Sequence, residues 1–167
     1  MSLEARVEPF PGRPPSVRWC WDVETDILSG SFRTSGKGAG LTGTVELSDD
    51  MGSVAVLDVA GGEIRGIDVV VWPEVTSRPG LAPPAPNRSG RVILPSRASQ
   101  AGITSLELDT TLSMSTNPAQ SIFHLRIGGR PSSEVVRIAD NCLVELDHRS
   151  RLSGFWLLEV PPFPTAS

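Results

Sequence analysis

An all-β fold is predicted for this 167-residue chain, a sandwich or barrel-like body with little helix. Three observations lead there. Short β-branched runs alternate with Gly/Asp/Ser turns, the pattern of half-buried strands. The 3.6-residue apolar period of a helix is nearly absent, and only Ser96–Ala101 offers a single turn. One supersecondary pattern also occurs twice, as "LDVAGGEIRGIDVVVWP" (57–73) and "LDHRSRLSGFWLLEVP" (146–161).

The strands follow in order. "VRWCW" (17–21) and "ILSGSF" (27–32) flank the acidic turn "DVETD". "LTGTVEL" (41–47), "SVAVLDV" (53–59) and "IRGIDVVVW" (64–72) are joined by the hairpin-sized turns "SDDMG" and "AGG". Gly61-Gly62 can supply the positive φ that a tight hairpin demands. Proline-rich 73–90 cannot be helix or central strand, and reads as an extended connector. Strands resume at "GRVILP" (90–95), "SLELDTTL" (105–112), "SIFHLRIG" (121–128), "EVVRIA" (134–139), "CLVELD" (142–147) and "LSGFWLLEV" (152–160). The tail 161–167 is expected to be loose.

In the two repeats, Gly66 to Pro73 and Gly154 to Pro161 are equally spaced, and the first copy has one more residue in its turn. A β-bulge or longer loop would absorb it. A strand alternates its side chains, so "GIDVVVW" and "GFWLLEV" are apolar on both faces and should be central. Gly66 and Gly154 suit a bend or a close backbone crossing. The expected organisation is one domain over 1–167, with β-meander units at about 16–73 and 103–161 packed as a pseudo-two-fold pair.

Composition narrows the function. A net charge of −4, a pI near 5.2 and 15 scattered basic residues argue against a nucleic-acid surface. Lys37 is the only lysine among them, the usage of a GC-rich bacterial genome. No apolar run approaches the roughly 20 residues of a membrane span, and no secretory leader pattern opens the chain, so a cytoplasmic location is expected. Cys20 and Cys142 read as reduced thiols, and with His124 and His148 they lack metal-ligand spacing.

Chemistry-bearing residues are sparse. Asp22, Glu24 and Asp26 copy the alternate acids of a calcium loop, but Ile27 and Arg33 stand where glycine and a bidentate glutamate are needed. The acids read instead as turn formers. "GSFRTSGKGAG" (30–40) has one residue too many for a phosphate loop, and reads as a Gly-rich hairpin tip with Arg33 and Lys37 as anion-binding candidates. His124 alternates out of an apolar strand face and is expected to face solvent. Neither histidine has a recognisable nucleophile partner, and the tryptophans read as core.

"WDVETDILS" followed by "VLDVAGGEIRGIDVV" resembles a short prokaryotic family of unknown function with the pattern Y-D-x-x-x-D-x-L-Y-I, then D-x-x-G-x-[IVL]-x-G-I-E-I-L. Trp21-Asp22, Asp26, Leu28 and Gly66–Val70 carry the match, and Asp147, Ser150, Leu152 and Gly154 keep its spacing in the second half. Here Trp156 replaces the family's acid, and the opening Y-D of a second copy is missing. The resemblance covers about half the chain and implies a compact β-rich unit, here fused and diverged as a double copy. It brings no catalytic residues. Some relatives are encoded beside toxin-like proteins, so it implies a partner-binding role.

The expected function is therefore a non-catalytic binding or assembly module, for a protein partner or for self-association, with no cofactor and no metal. The alternative is a small-molecule-binding or enzymatic sandwich with a pocket between the repeats. Asp22, Asp26, Asp68 and His124 are its candidate polar groups.

Overall fold

In the computed structural model, which describes residues 3–34, 38, 40–94 and 105–164, every regular element is a β-strand. The first half holds β1 (Arg6–Glu8), β2 (Arg18–Trp21), β3 (Leu28–Ser31), β4 (Gly43–Ser48), β5 (Val54–Ala60) and β6 (Glu63–Val71). The connector supplies β7 (Val75–Ser77) and β8 (Arg88–Ser89), followed by β9 (Arg91–Ile93). The second half holds β10 (Ser105–Asp109), β11 (Leu112–Thr116), β12 (Phe123–Ile127), β13 (Glu134–Ala139), β14 (Cys142–Leu146) and β15 (Leu152–Leu157). The expected turn at Ser96–Ala101 and the anion candidate Lys37 lie outside the described residues.

The strands form two sheets. In the first the path is β1-β9-β6-β5-β4-β10, with β3 also paired to β6 and β2 paired to β3. The second runs β7-β11-β12-β15-β14-β13-β8. The internal repeat is explicit in this order: β2-β3-β6-β5-β4 matches β11-β12-β15-β14-β13 strand for strand, and β6 and β15 are central as expected. Each outer edge, β4 and β13, is extended by a short parallel strand, β10 and β8 respectively.

Register refines the sequence alignment of the copies. Gly66 pairs with Asp58 and Ile64 with Val59, so Arg65 is a bulge. Gly154 pairs with Glu145 and Leu152 with Leu146, so Ser153 is the same bulge. Asp58 therefore corresponds to Glu145, not to Asp147, and the longer turn belongs to the second copy. The bulge is common to both copies and does not absorb a length difference. The sequence overstated the match because Leu-Asp precedes each turn at different depths in the hairpin.

Between the sheets lies the core. Leu28, Leu57, Ile67 and Val69 of the first sheet and Leu125, Phe155 and Leu157 of the second belong to one buried cluster. Burying each such side chain contributes about 1.5–3 kcal/mol. The run read as one strand, "SLELDTTL", splits at Thr110-Thr111: β10 joins the first sheet and β11 the second. Leu108 and Leu112 both reach the core, and crossing between sheets there lets each do so.

The connector is not featureless. β7 is one edge of the second sheet and β8 the other, so residues 78–87 run from edge to edge. Leu81 packs against Val135, Leu143 and Trp156 on that sheet's outer face. Proline fits here because an edge strand can forgo a ladder donor.

The conserved position of the two bulge glycines within the repeat has a steric cause. A Cβ on Gly66 would sit 2.5 Å from the Gly30 carbonyl oxygen, and one on Gly154 would sit 2.9 Å from that of Leu125. Gly30 and Leu125 are equivalent positions on the neighbouring strand. Gly66→Ala and Gly154→Ala should each lower stability by about 1–3 kcal/mol, the usual cost of overpacking. Urea unfolding checks this, and unchanged midpoints would discard the steric account.

Candidate binding surface at the aromatic end

The stretch "WCW" alternates, so on β2 Trp19 and Trp21 share one face and Cys20 the other. Trp19 lies across Gly30, its cross-strand partner, where a Cβ would collide with the indole ring. Gly30 is thus part of β3 and a platform for Trp19, not part of a flexible tip as its glycine-rich context suggested.

The acidic turn between β2 and β3 is built by its own backbone. The Asp22 N–H donates to the Ile27 carbonyl at 2.9 Å and the Asp26 N–H to the Asp22 carbonyl at 2.8 Å. Asp22 Oδ1 accepts from the Glu24 N–H at 3.0 Å. Asp26 has φ 60°, a left-handed conformation that aspartate tolerates better than most residues. That conformation aims its carbonyl outward, where Trp72 Nε1 donates to it at 2.7 Å. The turn therefore latches Trp72 in place.

Around this latch four aromatic rings gather. Trp21 and Trp72 stack at 5.6 Å between centroids, Phe123 meets Trp72 at 5.2 Å, and Phe163 stands edge-on to Trp21 at 5.2 Å. A cavity of about 250 Å³ opens beside them, rimmed by Val75, Gln120 and Asp26. Val75 and Phe163 are 39% and 37% exposed, so the aromatic cluster continues to the surface. The loose tail of the sequence reading is anchored here: Trp21 Nε1 donates to the Pro161 carbonyl at 2.8 Å, and Trp19 Nε1 to that of Leu158 at 2.9 Å. Of the tryptophans expected in the core, Trp156 is buried, whereas Trp19 and Trp21 are half-buried and spend their N–H groups on this segment.

The remaining sequence candidates do not converge. Asp22 and Asp26 shape the turn. Asp68 and Ser29, paired across β6 and β3, lie on the outer face of the first sheet, in an open groove of about 550 Å³ with Asp58 and Arg18. Burial pushes the Asp68 carboxyl up, Ser29 opposes this, and the Asp58 charge adds to it. Arg33 lines a separate cleft of about 340 Å³ with Arg13, Arg91 and Glu63. Cys142 is buried, which pushes its thiol up to about 12, while Cys20 is exposed and unpaired.

His124 departs from its expectation of facing solvent. It lies on the outer face of the second sheet, stacked on Trp156 at 4.0 Å and bonded through Nε2 to Glu145 Oε1 at 2.5 Å. Its partner comes from β14, on the far side of central β15. Gly154 permits the reach, because a Cβ there would sit 2.5 Å from Glu145 Oε1. No sequence pattern announces a pair separated by 21 residues and one intervening strand. With Nε2 committed to Glu145, and no hydroxyl or thiol bonded to the ring among the described residues, the pair reads as an internal brace.

A second polar brace was also missed. The Asp147 side chain is fully buried, accepts from the backbone N–H groups of Arg149 and Arg151, and pairs with Arg130 and Arg151 at 2.9 and 3.0 Å. Its only sequence signal was an aspartate opening a turn.

Among the described residues, no three His, Cys, Asp or Glu side chains gather as a metal ion requires. No protein-family model matches the chain, and no curated protein matches it.

Both braces make stability depend on acid. Burial pushes the Glu145 and Asp147 carboxyls up, but His124 and the Arg151/Arg149 donors respectively outweigh it and hold each below the usual range. A carboxyl lowered in the folded state contributes stability above its unfolded pKa, which is lost as pH falls through the folded value. Glu63 and Asp68, raised chiefly by burial, act in the opposite sense. Acid titration of the urea midpoint should show a decline below the ordinary carboxylate range that is shallower in Glu145→Gln combined with Asp147→Asn. Glu145→Ala should cost about 1–3 kcal/mol near neutrality, since it leaves the part-buried His124 ring without its hydrogen-bond partner. An unchanged acid limb in the double variant would contradict this.

Proposed function

We propose that this protein is a non-catalytic binding module whose working surface is the aromatic end, where Trp21, Trp72, Phe123 and Phe163 surround an open cavity. The carrying observation is that cavity: apolar walls, exposed rims and a carboxylate and an amide at the edge. Aromatic rings supply large contact area at low conformational cost, and Tyr/Trp/Phe-rich patches are typical of interaction sites. The acidic turn serves this surface by fixing Trp72. The larger grooves beside Asp68 and Arg33 gather no comparable set of aromatic rings, and the His124–Glu145 pair is occupied with itself.

A photo-crosslinking residue at Val75 or Gln120 tests the assignment, with Met51, 90% exposed in the β4–β5 turn, as control. Adducts with another polypeptide or a second copy should form from the first two sites and disappear in Trp72→Ala. Equal adducts from Met51, or none from Val75 and Gln120, would refute the aromatic end as the working surface.

A further inference from the structure

Building on that reading of the aromatic end, we infer that the groove recognises a proline-flanked phenylalanine in an extended segment of another polypeptide. The C-terminal residues 160–164 of the chain itself are the resident competitor. Val160-Pro161-Pro162-Phe163-Pro164 has proline at three of five positions. Each proline fixes φ and restrains the residue before it to extended geometry, so the segment is held in polyproline-like form at little entropic cost. Its prolines lack N–H groups, so it cannot join a sheet as a strand, but its carbonyls remain free to accept. The groove supplies what such a segment lacks: an indole donor, Trp21 Nε1, reaching the Pro161 carbonyl, while Trp19 on the same face of β2 holds the Leu158 carbonyl just before the segment. Aromatic grooves with a donor aimed at a carbonyl are the general solution for proline-rich ligands.

Three further observations favour a ligand in trans over a permanent plug. Pro161 to Pro164 are all exposed, and the described attachments beyond Val160 are the Trp21 bond and the Phe163 edge contact. The tail leaves about 250 Å³ of the groove open. The same Val-x-Pro-Phe-Pro spelling also occurs at Val7–Pro11, so the chain carries the ligand chemistry twice.

The probe is the synthetic peptide Val-Pro-Pro-Phe-Pro-Thr-Ala-Ser, with its Phe→Ala counterpart as control. Binding to the full-length Phe163→Ala chain is followed by the indole N–H resonances. The peptide should shift the Trp21 resonance saturably, and the control should not. Wild type should bind at least about tenfold more weakly, because the tethered tail competes at high effective concentration. Should Phe163→Ala lose its native spectrum, Pro162→Ala and wild type at excess peptide give the same reading. Absence of a Trp21 shift at millimolar peptide, or an equal shift from the control, overturns the inference. Self-association of wild type through this face without any response to peptide overturns it too, and assigns the groove to a second copy. Crosslinking from Val75 without peptide binding would keep the working surface and discard the ligand class; failure of both discards both.

Discussion

Each sheet presents an apolar inner face that has nothing to cover it except the other sheet. Leu28, Ile67 and Val69 on one side and Leu125, Phe155 and Leu157 on the other are buried only because the two five-strand units meet. A lone unit would expose that face to water and lose the burial that offsets the entropy of ordering its strands. Everything else hangs from this contact. It brings the ends of β2, β6 and β12 together, and there the aromatic cluster forms. It also turns both outer faces outward, free to diverge.

They have diverged in chemistry at matching positions. Asp68 in the first unit corresponds to Trp156 in the second, Ser29 to His124 and Val56 to Leu143. The first outer face stayed polar and open. The second became apolar, and the connector crosses it with Leu81 packed on Trp156 and Leu143. Histidine and glutamate on that face lie largely out of water, where leaving either one without its hydrogen-bond partner is costly. Gly154 serves two ends at once: it clears the Leu125 carbonyl and lets Glu145 pass over β15.

The sequence was a good guide where periodicity reports burial. The doubly apolar runs after Gly66 and Gly154 are the central strands, and the Gly61-Gly62 turn has the positive φ its glycines allow, 57° and 85°. It failed where the signal is tertiary. β7 and β8 are edge strands of three and two residues, too short to show a period. "SLELDTTL" alternates without interruption through the point where it changes sheets. The His124–Glu145 and Asp147–Arg130 pairs depend on strand order and turn geometry, which no local spacing encodes. In the stretch "WCWDVETD" (19–26) the acids are turn formers, and the residues that build the candidate surface are its tryptophans. Their role depends on the return of residues 158–161 to them, a tertiary contact that no local pattern encodes. The family-like motif at Trp21–Leu28 coincides with that turn, and no family model extends it into an assignment.

Mutual dependence of the two units is the central claim, and it is most directly tested by urea unfolding followed through separate indole resonances. Trp72, whose Nε1 bonds to Asp26, reports the first unit and Trp156 the second, while Trp19 and Trp21, bonded to the Leu158 and Pro161 carbonyls, report the contact between them. Folding through one shared core requires all four native signals to vanish at a common midpoint, as a two-state transition demands. Loss of Trp156 at a urea concentration where Trp72 remains native, or the reverse, would show that each unit holds itself together.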